Sequence, residues 1–277
     1  MRSAFVLLLA ATAAMAQGKR VFLITDAEGV GGVCRQDQTD PKDSEMRQLL
    51  TGEINAAVQG FIDGGAGEVL VWDGHDGSQT LSTLTIDPRA KLVMGDLSST
   101  MLMERGFSAV AFVGQHARAN SPHGVMAHSY SSLGIQNILM NGKPVGEIET
   151  RTALAGWFHV PVIFLSGDQV AAEQLHAIVP DAETAVVKEG LANYACISLS
   201  AESARSLIRE RAAAAMAKAG SIRPYRIEGA VTFEVEHTSR SALGQDAGLQ
   251  PGAEVIDART IRIKGKDFLE AWQRARL

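Results

Sequence analysis

A chain of 277 residues, 46% hydrophobic and 21% charged, is long enough for one large domain or two modest ones with a well-buried core. The formal net charge of −5 gives no electrostatic footprint for nucleic acid or an anionic membrane surface. The two cysteines, Cys34 and Cys196, stand in neither a CxxC nor a zinc-ribbon spacing, which argues against a thiolate metal site; they read as buried side chains or as a disulfide.

Residues 1–16 read as a secretory signal peptide, because Arg2 precedes an apolar run from Ala4 and Ala14-Met15-Ala16 forms an A-x-A cleavage signature. Cleavage before Gln17 removes Arg2 and changes the side-chain balance from −5 to −6. No later apolar run approaches about 20 residues, so no membrane span is expected after cleavage. The expected location is the periplasm or the exterior.

The mature chain opens with VFLIT at 21–25, a continuous apolar and β-branched run of the kind buried on both faces of a parallel sheet. It ends in Asp26-Ala27-Glu28-Gly29. Side chains two apart in an extended segment point the same way, so Asp26 and Glu28 project together. Residues 45–60 predict a helix with Leu49, Ile54, Ala57 and Val58 on its apolar stripe. The run 68–72 repeats the buried-strand pattern and ends in Asp73-Gly74-His75, and βαβ logic places that loop on the same sheet edge as the first.

A short strand is expected near 91–94 and a short helix through Leu102. A third buried strand at 109–113 runs into Gly114-Gln115-His116, the start of a loop that also holds His123 and His128. Residues 138–140 precede Asn141-Gly142, a hairpin signal, and Glu147 opens a helix reaching about Phe158. Its carboxylate is either a ligand or a residue that serves only the helix dipole. A strand at 160–165, a helix at 171–178, a strand at 184–188 and a helix at 200–219 capped by Ser200 follow.

After Pro224 the pattern changes to alternating strands, near 227–236 and 260–263, and a terminal helix at 267–275. The expected fold is therefore α/β: a doubly wound, mostly parallel sheet in residues 17–223, with a smaller C-terminal α+β region in 224–277 packed on it.

Asp26, Glu28, His75, His116 and Glu147 form a carboxylate and imidazole set that suits zinc and also accepts manganese or iron. Five ligands exceed one tetrahedral ion. They suit two ions about 3.5–4 Å apart that share a bridging carboxylate, for which Asp26 is the natural choice. His128 is left over from the ligand count and is a candidate proton shuttle, nucleophile or oxyanion donor. His123 reads as exposed, and His159, His176 and His237 as structural. The same donor set also fits a phosphoesterase or general amidohydrolase, or an exported metal- or peptide-binding protein without catalysis.

The motifs DAEG, WDGH, GQHARA, GVMAHS and PVGE, taken together and in order, resemble those of the DppA-type D-aminopeptidases, dinuclear zinc peptidases found with bacterial dipeptide-transport operons. The similarity runs from Val21 to the chain's end. The resemblance implies that Asp26 bridges two zinc ions, that Glu28 and His75 complete one site, and that His116 and Glu147 complete the other. His128 matches the family's proposed catalytic histidine. It further implies short peptides or amides with an N-terminal D-residue such as D-alanine as substrates, and a homo-oligomer in the form of a large ring. Two departures are an extra residue between His116 and His128, near His123, and the signal peptide.

Overall fold

The computed structural model describes residues 18–243, 248 and 251–277. The signal-peptide reading of residues 1–16 lies outside them. The first sheet follows from the apolar runs. Strands β1 (Lys19–Thr25), β2 (Ala66–Trp72), β3 (Ala90–Val93) and β4 (Ala109–Gln115) lie parallel. So do β7 (Val162–Asp168) and β8 (Glu183–Ala192), and β9 (Ala195–Ser198) turns back antiparallel on β8. The order is β3-β2-β1-β4-β7-β8-β9. The chain builds outward from β1 to β3, then crosses back to β4 and builds the other way. Between β1 and β4 the winding reverses, and such a switch point leaves a crevice beyond the strands' carboxyl ends.

The longer helices are α1 (Ser44–Asp63), α2 (Glu147–Trp157), α3 (Gln169–Ile178), α4 (Ala201–Lys218) and α5 (Phe268–Ala275). The Asp43 side chain caps α1 by accepting from the Met46 N–H at 2.7 Å, and Ser200 caps α4 from Ser203. Helices α1 and α4 pack on each other and on strands of the first sheet, and α2 and α3 also pack together. The β1 and β4 interiors are fully buried by this cover. The apolar continuity that distinguishes those runs is what two covered faces require.

A second, antiparallel sheet has the order β11-β12-β10-β5-β6. Its strands are β5 (Ile135–Met140), β6 (Lys143–Pro144), β10 (Val231–His237), β11 (Ala253–Val255) and β12 (Thr260–Gly265). It is not drawn from the chain after Pro224 alone, because the hairpin at Asn141-Gly142 sends β5 to pair with β10. Helix α5 packs on β10, β12 and α2, and so joins the second sheet to the helix that begins at Glu147. Among the described residues no helix is long and apolar enough to cross a membrane.

Candidate metal centre

Register brings three strand ends to one place. Ile24 sits beside Trp72 on one side and Phe112 on the other, so the residues that follow β1, β2 and β4 leave the sheet together. Asp26 continues the ladder by donating its N–H to the Val113 carbonyl at 2.9 Å. The next contact, Gly29 N–H to the Gly114 carbonyl at 2.7 Å, needs both glycines. A Cβ on Gly29 would lie 2.1 Å from the Gln115 carbonyl oxygen, and Gly114 has φ +74° with the Asp26 carbonyl oxygen 2.0 Å from its Cβ position.

At this edge Asp26, Glu28, His75, His116 and Glu147 are all buried. The two oxygens of Asp26 face different partners. Oδ1 lies 3.1 Å from His75 Nδ1, which is also 3.4 Å from Glu28 Oε2. Oδ2 lies 3.5 Å from His116 Nε2, which is 3.8 Å from Glu147 Oε1. Asp26, Glu28 and His116 offer ligand atoms within 4.8 Å of one another, and so do His116, His128 and Glu147. All five residues read from the sequence meet in one cluster, with His128 at its side.

Each histidine of the cluster gives one ring nitrogen to a backbone carbonyl. His75 Nε2–H donates to Thr39 at 2.8 Å, His116 Nδ1–H to Ala117 at 2.9 Å, and His128 Nδ1–H to Met126 at 2.9 Å. Because a carbonyl only accepts, these contacts fix the protonated nitrogen and turn the other toward the cluster. A carbonyl behind the ring is the usual outer support of a metal-binding histidine.

The electrostatics describe a cluster short of cations. Burial works to raise Asp26, but hydrogen bonds from His116 and His75 outweigh it and hold the carboxyl well below its ordinary range. Burial works to lower His75 and His116; the carboxylates around them overcome it, Asp26 and Glu28 pushing His75 up to about 12, and Glu147 and Asp26 pushing His116 up to about 10. In the metal-free chain a proton stands where a cation fits. Even so, Glu28 Oε2, His116 Nε2 and Glu147 Oε2 are buried without a hydrogen-bond partner. Buried polar atoms are seldom left this way, and several aimed at one another in a single cluster fit a cation.

The loop between His116 and His128 is pinned from several sides. His128 N–H donates to Ala117 at 3.2 Å, which closes the loop on itself, and Asp168 accepts from Val125 N–H at 3.2 Å while it caps α3. His123 is exposed at φ +61° and lines a separate cavity of about 780 Å³ with Arg118 and Gln174. His159 contacts Arg226, His176 the Ala182 carbonyl and His237 the Gly134 carbonyl, all away from the cluster.

Several supporting residues escape a reading of the sequence. Lys188 is buried, with Nζ donating to the Glu28, Val30 and Val33 carbonyls, and so fastens the loop that carries Glu28. Glu53 accepts from Gly31 N–H at 2.8 Å in the same loop, and burial pushes its carboxyl up to about 7. The Tyr130 N–H donates to Glu147 Oε1 at 2.7 Å. A lysine closing a buried strand and a glutamate on the apolar stripe of α1 were the signals. The two cysteines are free thiols, with Cys34 in contact with Cys196.

A doubly wound sheet whose switch point gathers buried carboxylates and carbonyl-backed histidines defines a metal-binding α/β protein, and the comparisons with known proteins make it a metallo-aminopeptidase. A family model described as D-aminopeptidase matches residues 19–277. A D-aminopeptidase of Bacillus subtilis (strain 168) is 30% identical over 261 residues, covering 92% of this chain and 94% of the relative. The solved structure of the Zn-dependent D-aminopeptidase DppA from Bacillus subtilis, described as a self-compartmentalizing protease, superposes with a TM-score of 0.85 at 30% identity, covering 92% of this chain and 95% of that one. The chain belongs to the D-aminopeptidase family.

Proposed function

We propose that this chain is an exported zinc D-aminopeptidase that releases the N-terminal D-residue, such as D-alanine, from short peptides and amides, and that its site holds two zinc ions. The observation that carries the reading is Asp26, whose two oxygens face His75 and His116 separately. Glu28 and His75 Nδ1 would hold one ion, His116 Nε2 and Glu147 the other, and Asp26 would bridge. Nitrogen and oxygen donors in this mix suit zinc and accept manganese or iron. Bound zinc supplies Lewis-acid polarisation of a carbonyl and lowers the pKa of water.

The protein's own residues supply the rest. In the neutral ring of His128 the Nδ1–H donates to the Met126 carbonyl, which leaves Nε2 as the atom to take a proton from the attacking water and pass it to the leaving amine. Lys188 and Glu53 hold the Glu28 loop in place, and the Tyr130 N–H orients Glu147. A short peptide of D-residues is the partner. The Bacillus subtilis relative is described as self-compartmentalizing, which supports a homo-oligomer enclosing the site, in the form of a ring. The A-x-A signature supports export, where cell-wall fragments carry D-alanine.

The test is hydrolysis of D-Ala-D-Ala and D-alaninamide against their L counterparts. Turnover of the D forms, lost with a chelator and restored by zinc, is expected. Zinc-loaded protein that cleaves neither D substrate, or prefers the L series, would overturn the reading.

A further inference from the structure

One turn beyond Glu147 on α2 lies a cation that the metal cluster does not use. Arg151 is 8% exposed, and its guanidinium lies 5.6 Å from the centre of the Trp72 ring and 5.5 Å from that of Tyr130. The rings support the planar face of the group, as aromatic rings support guanidinium. They leave its edge unanswered. Nη1 is buried without a hydrogen-bond partner, and no carboxylate among the described residues forms an ion pair with it. A guanidinium largely withdrawn from water, with one nitrogen buried and unpartnered, favours an anionic partner.

Arg151 lines a cavity of about 260 Å³ together with Trp72, Tyr130, Trp272 and Asp96. Asp96 is exposed, and neither it nor the carboxylate of Leu277, which also lines the cavity, makes an ion pair with Arg151. Three connections tie this cavity to the metal cluster. Tyr130 holds Glu147 through its N–H, Trp72 precedes His75 by three residues, and Arg151 follows Glu147 by four, the spacing that makes helix side chains neighbours. The flat fork of a guanidinium matches a carboxylate bidentately. A peptide residue spans about 3.5 Å, so the carboxylate of a dipeptide lies one residue beyond the scissile bond.

We propose that Arg151 binds the C-terminal carboxylate of the substrate, and that the site is thereby built for dipeptides: one residue before the scissile bond and one after. The assignment rests on the aminopeptidase reading. Arg151 sets which peptides are held and takes no part in moving protons.

The test compares kcat/KM for D-Ala-D-Ala with that for D-Ala-D-Ala-amide, which lacks only the charged carboxylate. The native enzyme favours the acid. In Arg151→Gln the acid-to-amide ratio falls about 10- to 100-fold, chiefly through KM for the acid, the loss expected for a charge-assisted hydrogen bond. Arg151→Lys keeps the charge without the fork and falls between. A native enzyme that cleaves acid and amide equally well overturns the assignment without any variant. Equal loss on both substrates in the variants overturns it too, because packing alone would act that way. Native enzyme that cleaves neither peptide overturns the aminopeptidase reading itself, which separates the two failures.

Discussion

The His116 and His128 rings stack face to face, their centroids 4.0 Å apart and their planes within 14°. The loop that joins them closes through the His128 N–H on the Ala117 carbonyl, so the stack is set by backbone as well as by ring contact. His116 points Nε2 at Asp26 and Glu147, and His128 offers its own Nε2 beside it. On the proposed reading, one ring would hold a cation and its neighbour would move a proton.

Replacing His128 by Ala separates these jobs. The account expects kcat to fall about 10²- to 10⁴-fold, the usual worth of a positioned acid or base, while zinc content stays at the native level. Turnover and metal analysis on the same preparation check it. Loss of half the zinc in this variant would instead make His128 a ligand, as its place beside His116 and Glu147 permits.

Metal uptake by the stripped protein should release protons. With His75 raised to about 12 and His116 to about 10, both rings are cationic at pH 7 and must lose a proton to bind a metal. Calorimetry in buffers of different ionisation enthalpy should therefore find about two protons released at pH 7. The number declines as pH rises through 10, and apparent affinity rises over the same span.

The stability of the metal-free protein follows from the same shifts. The raised histidines contribute stability that is fully present below their ordinary value of 6.5 and is lost as pH rises through about 10 and 12. Asp26 is depressed, so its contribution is present above 3.8 and is lost as pH falls through its lower folded value. The cluster's contribution is thus largest between these limits. Thermal unfolding of stripped protein against pH should show that plateau, and a double variant of His75 and His116 to Gln should remove the alkaline decline.

Lys188→Met tests the loop support. Methionine keeps the bulk but removes the donor from the Glu28, Val30 and Val33 carbonyls. Leaving buried acceptors unpaired costs about 1–3 kcal/mol each, partly recovered by water, so a loss of about 3 kcal/mol in stability is expected. Denaturant unfolding measures it. Because Glu28 rides on this loop, zinc should also dissociate faster from the variant.

The main architecture was legible where burial is symmetrical. The runs at 21–24, 69–72 and 109–113 carry no charged or hydroxyl side chain on either face, and each lies in a strand of the parallel sheet. The polar residues that follow within a few positions mark where the chain leaves the sheet, which is why Asp26, His75 and His116 could be read as a group. The antiparallel return of β9 on β8 was hidden, since Ala192-Asn193-Tyr194-Ala195 has no Gly or Pro to announce a turn. The second sheet was only half visible, because pairing of β5 with β10 joins segments about a hundred residues apart, which local pattern does not encode. The supports of the centre were less visible still. The Thr39 and Ala117 carbonyls that fix the histidine tautomers are backbone atoms, common to every residue, and only the folded chain places them.

The central claim is that Asp26 joins two metal sites into one hydrolytic centre. It is tested most directly by measuring zinc per chain and turnover of D-alaninamide on the same samples of native protein and Asp26→Asn. The account predicts two zinc ions per chain and turnover in the native protein, and loss of both in the variant. Native protein fully active with one ion per chain, or Asp26→Asn that keeps two ions and native turnover, would contradict it.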